Sequence, residues 1–163
     1  ESDEDNPFTK DADYKPDFIQ DPNTGRMKGS RPKEITPNHD LTYVEAKGKL
    51  KTEEGWYEVY DWTEDNLELH FNGSGKEHDH KSEYPGWSIN NYRDWSRLLL
   101  KNIPDNKTLF GEEVGDYRFR YCPITGDFVK EHIKKRIITM FRPKNLKGYY
   151  DDAVAEAKEE NGR

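Results

Sequence analysis

Three histidines and a glutamate near the middle of the chain have the types and spacing of metal ligands. His78 and His80 are separated by one residue, Glu83 follows them, and His70 precedes them. On a strand, a His-x-His pair places both imidazoles on one face, where a nearby carboxylate can complete a divalent metal site. Glycine and proline flank this stretch, so a solvated polar loop is the simpler interpretation. We expect no resident cofactor, with a divalent metal at His78, His80 and Glu83 as the alternative.

A second set of residues has the composition of a magnesium-dependent nuclease site. Asp17 follows a proline, and Glu45 and Lys47 are separated by one residue in a predicted strand. In such enzymes two carboxylates hold Mg²⁺, and the lysine polarises the attacking water or the phosphate. The pattern is short and common, and an ordinary surface strand explains it more simply. A small metal-dependent hydrolase or nuclease, including a toxin domain, is therefore an alternative function.

The sequence contains no recognisable nucleophilic or nucleotide-binding motif. Cys122 is the only cysteine, so no internal disulfide can form, and it precedes a proline in a basic stretch that could lower the pKa of its thiol. No motif places a base beside it. Nucleophile elbows, phosphate loops and dinucleotide-binding patterns do not occur in the sequence. An enzyme is therefore less expected than a non-enzymatic protein.

The most informative feature is a basic stretch between residues 117 and 147. It contains nine Lys or Arg and two acids, a local charge of +7 in a chain whose formal net charge is −7. A block of one sign on a protein of the other sign often meets an oppositely charged partner. We expect an interaction surface formed by Arg118, Arg120, Lys130, Lys134, Lys135, Arg136 and Arg142.

Several partners fit such a basic surface. The acidic beginning of the chain, the acids of its C-terminal helix, or an acidic protein partner would each neutralise it. A nucleic acid is a further alternative, although the negative charge of the whole chain opposes the counterion release on which non-specific binding depends. A merely solvated face is the third interpretation. We expect pairing with protein to be favoured over pairing with nucleic acid.

Alternating patterns predict about four strands that would position these residues. The predicted strands are 41–47, 56–62, 67–71 and 117–121. In the second strand, the residues predicted to share one face are Trp56, Glu58, Tyr60 and Trp62. In the last strand, three aromatic residues are predicted to point inward, and Arg118 and Arg120 outward.

Helical spacing of apolar residues predicts two or three helices. One begins after the N-cap Ser88 and ends before Pro104, and another covers 146–159. The stretch 128–141 fits either a strand or a helix, and we favour a helix because its apolar residues fill one arc of a helical wheel. The sequence thus predicts an α+β fold, in which a small antiparallel sheet packs with these helices.

Residues 1–40 have the composition of an extended arm. They contain five of the nine prolines and only two of the 22 Leu, Ile and Val residues, so they cannot form a core of their own. Four apolar side chains recur as possible anchors on the domain or on a partner, namely Phe8, Tyr14, Phe18 and Ile19. We therefore divide the chain into an acidic, proline-rich arm, 1–40, and a single α+β domain, 41–163.

Together these features favour a non-enzymatic accessory subunit or interaction module of a larger protein assembly. Aliphatic residues are few, whereas aromatic residues make up 13% of the 163-residue chain, and Tyr and Trp are favoured at interfaces. No apolar run is long enough to span a membrane. The first residue is Glu and not Met, so we expect a processed or excised chain. The sequence specifies no compartment.

Overall fold

The computed structural model describes residues 19–20, 27–28, 37–52, 54–73 and 80–162. The chain divides into two compact units, residues 1–36 and 37–163. In the first unit, strands β1 (Ile19–Gln20) and β2 (Met27–Lys28) pair antiparallel. The predicted anchor Ile19 lies in β1, whereas the anchors Phe8, Tyr14 and Phe18 lie outside the described residues.

The second unit is built on a four-stranded antiparallel sheet whose strands are neighbours in sequence order. The strands are β3 (Phe110–Val114), β4 (Tyr117–Cys122), β5 (Asp127–His132) and β6 (Arg136–Phe141). Gly115 and Gly126 have positive φ angles in the turns that follow β3 and precede β5, a conformation that glycine adopts without steric cost. The predicted α+β class with a small antiparallel sheet is confirmed.

Helices cover both faces of this sheet. On one face pack α1 (Tyr43–Lys49), α2 (Glu64–Asn72) and α3 (Ile89–Lys101), and on the other packs α4 (Lys147–Asn161). The first core contains Trp95, Leu99, Val129 and Met140 between helices and sheet. The second contains aromatic residues of the sheet against Tyr150 and Val154 of α4. Among the described residues, no helix is long and apolar enough to cross a membrane.

Three predicted elements are confirmed. Helix α3 begins after Ser88, whose side chain accepts a hydrogen bond from the Asn91 backbone while Asn91 returns one to Ser88. This reciprocal cap satisfies two amide groups that a helix N-terminus otherwise leaves unpaired. The C-terminal helix and the strand at 117–121 also occur, with slightly longer bounds, as α4 and β4.

Two predicted strands are wrong, because residues 43–49 and 64–72 are helices. Thr42 and Thr63 cap them, each accepting a hydrogen bond from the backbone amide three residues later. Such a threonine at the start of a segment is a helix signal that outweighed the short apolar alternation. The predicted helix at 128–141 is also wrong, because β5 and β6 form a hairpin there. The predicted strand at 56–62 is also wrong, because these residues form no regular strand, although exposure alternates from 56 to 61.

Candidate functional site

The predicted basic surface is divided by the fold into buried arginines and exposed lysines. Arg118, Arg120 and Arg142 are buried, at 6%, 1% and 4% exposure. Lys134 and Lys135 are exposed in the turn between β5 and β6, while Lys130 and Arg136 are half-buried. The outward orientation predicted for Arg118 and Arg120 is therefore wrong. Both faces of the sheet are covered, so an alternating strand in it has no solvent-facing side.

Arg118 is neutralised inside the protein by two glutamates. Its Nε donates to Glu113 and its Nη1 donates to Glu131, each at 2.9 Å. The Glu131 carboxylate also accepts a hydrogen bond from the Tyr60 amide at 2.9 Å. Burial raises the pKa of Glu131 despite these donors. The carboxylates paired with Arg118 thus come from the same sheet, and one of them fixes the chain at Tyr60.

Arg120 has backbone carbonyls as its hydrogen-bond partners. Its Nε donates to the Leu99 carbonyl at 3.2 Å, and its Nη2 to the carbonyls of Leu100 and Asn102 at 3.4 Å. These carbonyls lie at the C-terminal end of α3, where a positive charge interacts favourably with the helix dipole. Burial, with a contribution from Arg118, lowers the pKa of Arg120 to about 10. The side chain acts as a buried cap of α3.

Arg142 belongs to a buried polar cluster around Asp127. Its Nε lies 3.2 Å from Asp127 Oδ1, and neither side chain is exposed. Trp95 Nε1 donates to the same carboxylate at 2.6 Å, and the hydroxyls of Tyr84 and Thr125 also donate to it. Arg142 Nη2 is buried without a hydrogen-bond partner among the described residues, whereas the other hydrogen bonds of this network join the hairpin to the elements that cover it. Arg142 is therefore part of the interior and not of a docking surface.

The residues of the metal hypothesis lie only partly within the described structure. His78 lies outside the described residues, while His80 Nδ1 lies 3.0 Å from Glu83 Oε2. The other Glu83 oxygen accepts the Arg142 amide at 2.7 Å. Across the described ranges, no three His, Cys, Asp or Glu residues are grouped to hold a metal ion. Each carboxylate oxygen of Glu83 thus has a partner within the protein, and the residue links the loop after His80 to the end of β6.

The nuclease hypothesis required Glu45 and Lys47 on a strand, and that expectation is wrong. Both residues are exposed on α1, and Glu45 Oε2 accepts a hydrogen bond from the Thr42 hydroxyl at 2.8 Å. Residues two apart on a helix point to different sides. Asp17 lies outside the described residues. The two described members of the set therefore do not share a face.

Cys122 is inert at neutral pH. It is fully buried at the end of β4, opposite Asp127 in the register of β5. Burial raises the pKa of its thiol to about 11. The basic stretch therefore does not activate this cysteine, because burial and the neighbouring Asp127 raise the pKa of the thiol.

The described surface instead presents aromatic residues on the 54–61 segment, residues 54 to 61 between α1 and α2. Along this segment exposed and half-buried residues alternate. Trp56 and Tyr60 are 79% and 49% exposed. Glu58 between them is also exposed, so three of the four residues predicted to share one face are exposed, whereas the fourth, Trp62, is buried and donates to Ser96 at 2.8 Å. The segment thus exposes two aromatic rings and a carboxylate on one side.

The other side of the 54–61 segment is held against the sheet. The Tyr57 ring lies 4.5 Å from the Arg118 guanidinium and 5.5 Å from that of Arg120. At the end of the segment, the Asp61 carbonyl accepts the Ile137 amide at 3.1 Å, and its carboxylate pairs with Arg93. The Arg93 hydrogen bond lowers the pKa of Asp61. The buried arginines predicted to be a docking surface therefore support the segment that carries the exposed rings.

A groove of about 540 Å³ lies on the other face of the sheet, beside α4. Ala153 and Ala157 of α4 are small, which leaves room above the strands. Lys130 lies on its floor, with Nζ 4.6 Å from the centre of the Tyr117 ring, and Glu156 lines its wall. The groove thus combines charges of both signs with aromatic side chains, and it contains one of the predicted interaction residues.

The sequence showed the alternation at 56–62, which we interpreted as a strand, but it did not show that the stretch covers the sheet. The signal for the exposed rings is the Trp-Tyr-Glu-Val-Tyr run at 56–60. Comparison with known protein families finds no match, and no curated protein is significantly similar to the chain.

Proposed function

We propose that this chain is a non-enzymatic accessory subunit or interaction module, which docks onto a larger protein assembly through the 54–61 segment. The observation that carries the proposal is the exposure of Trp56, at 79%. Exposed tryptophan and tyrosine side chains that become buried on association dominate the energetics of many interfaces.

The fixed position of the segment supports this function. Tyr57 packs on Arg118 and Arg120, and the Tyr60 amide is bonded to Glu131, so the backbone beneath the exposed rings is anchored. A surface that is ordered before binding loses less conformational entropy when a partner arrives. Burying most of one tryptophan ring contributes roughly 4 kcal/mol before the cost of association. A few such contacts suffice for a specific complex.

The nucleic-acid alternative has less support. Three of the seven residues expected to form its basic surface are buried and bonded to carboxylates or carbonyls. The four others are Lys130 of β5, Lys134 and Lys135 of the turn, and Arg136 of β6. Of these, Lys134 Nζ lies 3.5 Å from Asp116 Oδ1. The enzyme alternative requires ligands that the described residues do not bring together.

A photo-crosslinking experiment tests the proposed function. A photoreactive amino acid at position 58, beside Trp56, is compared in an extract of the native cells with the same amino acid at position 156. Both positions are exposed glutamates, and position 156 lies on α4 across the sheet. We expect a discrete protein adduct from position 58 that is absent from position 156 and is lost in Trp56→Ala. Equal adduct patterns from both positions would contradict the proposal.

A further inference from the structure

The middle of the 54–61 segment has free backbone hydrogen-bonding groups. From Gly55 to Val59, no backbone amide or carbonyl bonds to any described part of the chain. Extended backbone with unpaired amides and carbonyls is a template on which another strand can pair. The alternating exposure of these residues has the two-residue period of a strand. The segment therefore resembles a strand that lacks its neighbour.

Both ends of this free stretch are fixed. A Cβ atom on Gly55 would lie 1.5 Å from the Lys101 carbonyl oxygen, so the segment passes directly against the end of α3 there. At the other end the Tyr60 amide bonds to Glu131, and the Asp61 carbonyl bonds to Ile137. Five free residues between two anchors are held ready for pairing, which reduces the entropy lost on binding.

The charge around the free stretch is negative. Glu54 and Glu58 are exposed on the segment itself. A cavity of about 280 Å³ beside Tyr57 is lined by Arg120 and by Glu112 and Glu113, and these two carboxylates pair with Lys158 and Arg118. A second cavity of about 470 Å³ adjoins Asp61. Its acidic residues are Asp61, Glu64, Asp65 and Glu68.

The basic residues that line these two cavities are engaged within the protein. In the second cavity the basic residue is Arg93, which pairs with Asp61, and in the first it is the buried Arg120. The carboxylates that have no ion-pair partner in the described structure are those of Glu54, Glu58, Glu64, Asp65 and Glu68, and they are the ones that a partner with positive charge would meet. An acidic partner, a nucleic acid or a second copy of this chain would be repelled, since the chain carries a net charge of −7.

We propose that residues 55–59 bind an extended segment of a partner protein, rich in lysine or arginine, as an added β-strand. The inference rests on the proposed function and names the chemistry of its partner. Main-chain hydrogen bonds to the free stretch give affinity, and alternate side chains give specificity. Trp56, Glu58 and Tyr60 repeat at every second residue, about 7 Å apart. A partner with a basic residue at every second position places cations over the two rings and beside the carboxylate.

The experiment uses the full chain and an acetylated, amidated heptapeptide that alternates lysine with valine. Binding is followed by calorimetry and by the fluorescence of Trp56 at about 50 mM salt, where charge attraction is weakly screened. We expect saturable binding that weakens at least about tenfold in Trp56→Ala, as for truncation of a central aromatic contact. A peptide that alternates glutamate with valine is expected not to bind. Equal binding of the two peptides would overturn the basic character of the partner.

Two matched controls separate strand addition from simple charge attraction. Glu58→Lys should weaken binding about tenfold more than Glu156→Lys, which makes the same charge change across the sheet. Two further peptides are N-methylated, one at all lysines and one at all valines, so that each lacks the amide donors of one strand edge. We expect one of them to lose at least about tenfold in affinity. If both bind like the parent peptide, backbone pairing is excluded.

The outcome also distinguishes this inference from the proposed function. A Trp56-dependent protein adduct in the crosslinking experiment, together with no binding of the lysine peptide, would overturn the partner chemistry and leave the function standing. If sedimentation shows a dimer that Trp56→Ala dissolves, the occupant is a second copy and the inference is wrong. If neither a peptide nor a protein depends on Trp56, both proposals fail.

Discussion

Asp127 and Arg142 form an ion pair at the centre of the second unit, with Arg142 Nε 3.2 Å from Asp127 Oδ1 and both side chains fully buried. Asp127 begins β5 and Arg142 follows β6, so the pair ties the two ends of the hairpin to each other. Trp95 and Tyr84 donate to the same carboxylate from α3 and from the loop before it. The pair therefore joins the sheet to the helical layer that covers it.

Replacing Asp127 should be severely destabilising. Asp127→Asn leaves the buried Arg142 charge without a counter-ion, which costs about 3–5 kcal/mol of unfolding free energy. Asp151→Asn is the matched control, because Asp151 pairs with Lys147 at 3.0 Å on the exposed face of α4, and exposed pairs contribute about 0–1 kcal/mol. Urea unfolding curves of the two variants measure the difference. Similar midpoints would contradict the structural role of the buried pair.

Arg120 should not be replaceable by lysine. Its guanidinium reaches the carbonyls of Leu99, Leu100 and Asn102 together, and an ammonium lacks that planar fork. We expect Arg120→Lys to cost about 2–4 kcal/mol, because buried carbonyls lose their donors. Arg136→Lys, at a half-buried site on β6, should cost less than about 1 kcal/mol. Thermal or urea unfolding checks both values, and equal costs would show that the carbonyl contacts contribute little.

Alanine should have opposite effects on the free energy of unfolding at two glycines of the chain. Gly55→Ala would place Cβ 1.5 Å from the Lys101 oxygen and force the 54–61 segment away from α3, at a cost of about 1–3 kcal/mol. Gly48 lies in α1 with no atom within 4 Å of an added Cβ. There alanine should stabilise by up to about 1 kcal/mol, through its better helix propensity. Unfolding curves measure the change in unfolding free energy of each variant. An unchanged unfolding free energy in Gly55→Ala would mean that the segment can be displaced from α3 without cost.

The Cys122 thiol should make stability fall at alkaline pH. Its pKa is raised from 9.0 to about 11 by burial, so between these values the unfolded chain loses a proton that the folded chain retains. The stability associated with this group is complete below pH 9 and is lost as pH rises toward 11. Over that range the wild type should lose about 2–3 kcal/mol more than Cys122→Ala, at 1.36 kcal/mol for each pH unit. Parallel curves of stability against pH for the two proteins would refute the assignment.

Trp56 should dominate the response of the protein to a soluble fluorescence quencher. The chain has four tryptophans, and Trp62, Trp87 and Trp95 are buried at 7%, 5% and 0% exposure. Acrylamide should therefore quench one emission component readily, and Trp56→Phe should remove that component while leaving the far-ultraviolet circular dichroism unchanged. An unaltered quenching curve in Trp56→Phe would show that the exposed ring lies elsewhere.

The sequence determined features that depend on neighbouring residues. Ser88 and Asn91 specify the start of α3 through a cap that needs only the first turn of the helix. The alternation of Tyr117 to Tyr121 specifies a strand, and the apolar spacing of the last segment specifies α4. The α+β class followed from these elements, together with turn residues such as Gly126.

Tertiary contacts decided the rest. Residues 128–141 carry apolar side chains that fit a helix, yet they form a hairpin because β4 pairs with β5 and two covering layers require apolar residues on both faces. For the same reason Arg118 and Arg120 point into the protein, where glutamates of the neighbouring strands and carbonyls at the end of α3 accept their hydrogen bonds. The exposed side of the 54–61 segment also depends on tertiary contacts, since Tyr57 packs on Arg118 and Arg120 and so leaves Trp56 and Tyr60 on the solvent side. The sequence determines how many basic residues the stretch 117–147 contains, whereas the packing of the folded chain determines which of them are exposed to solvent.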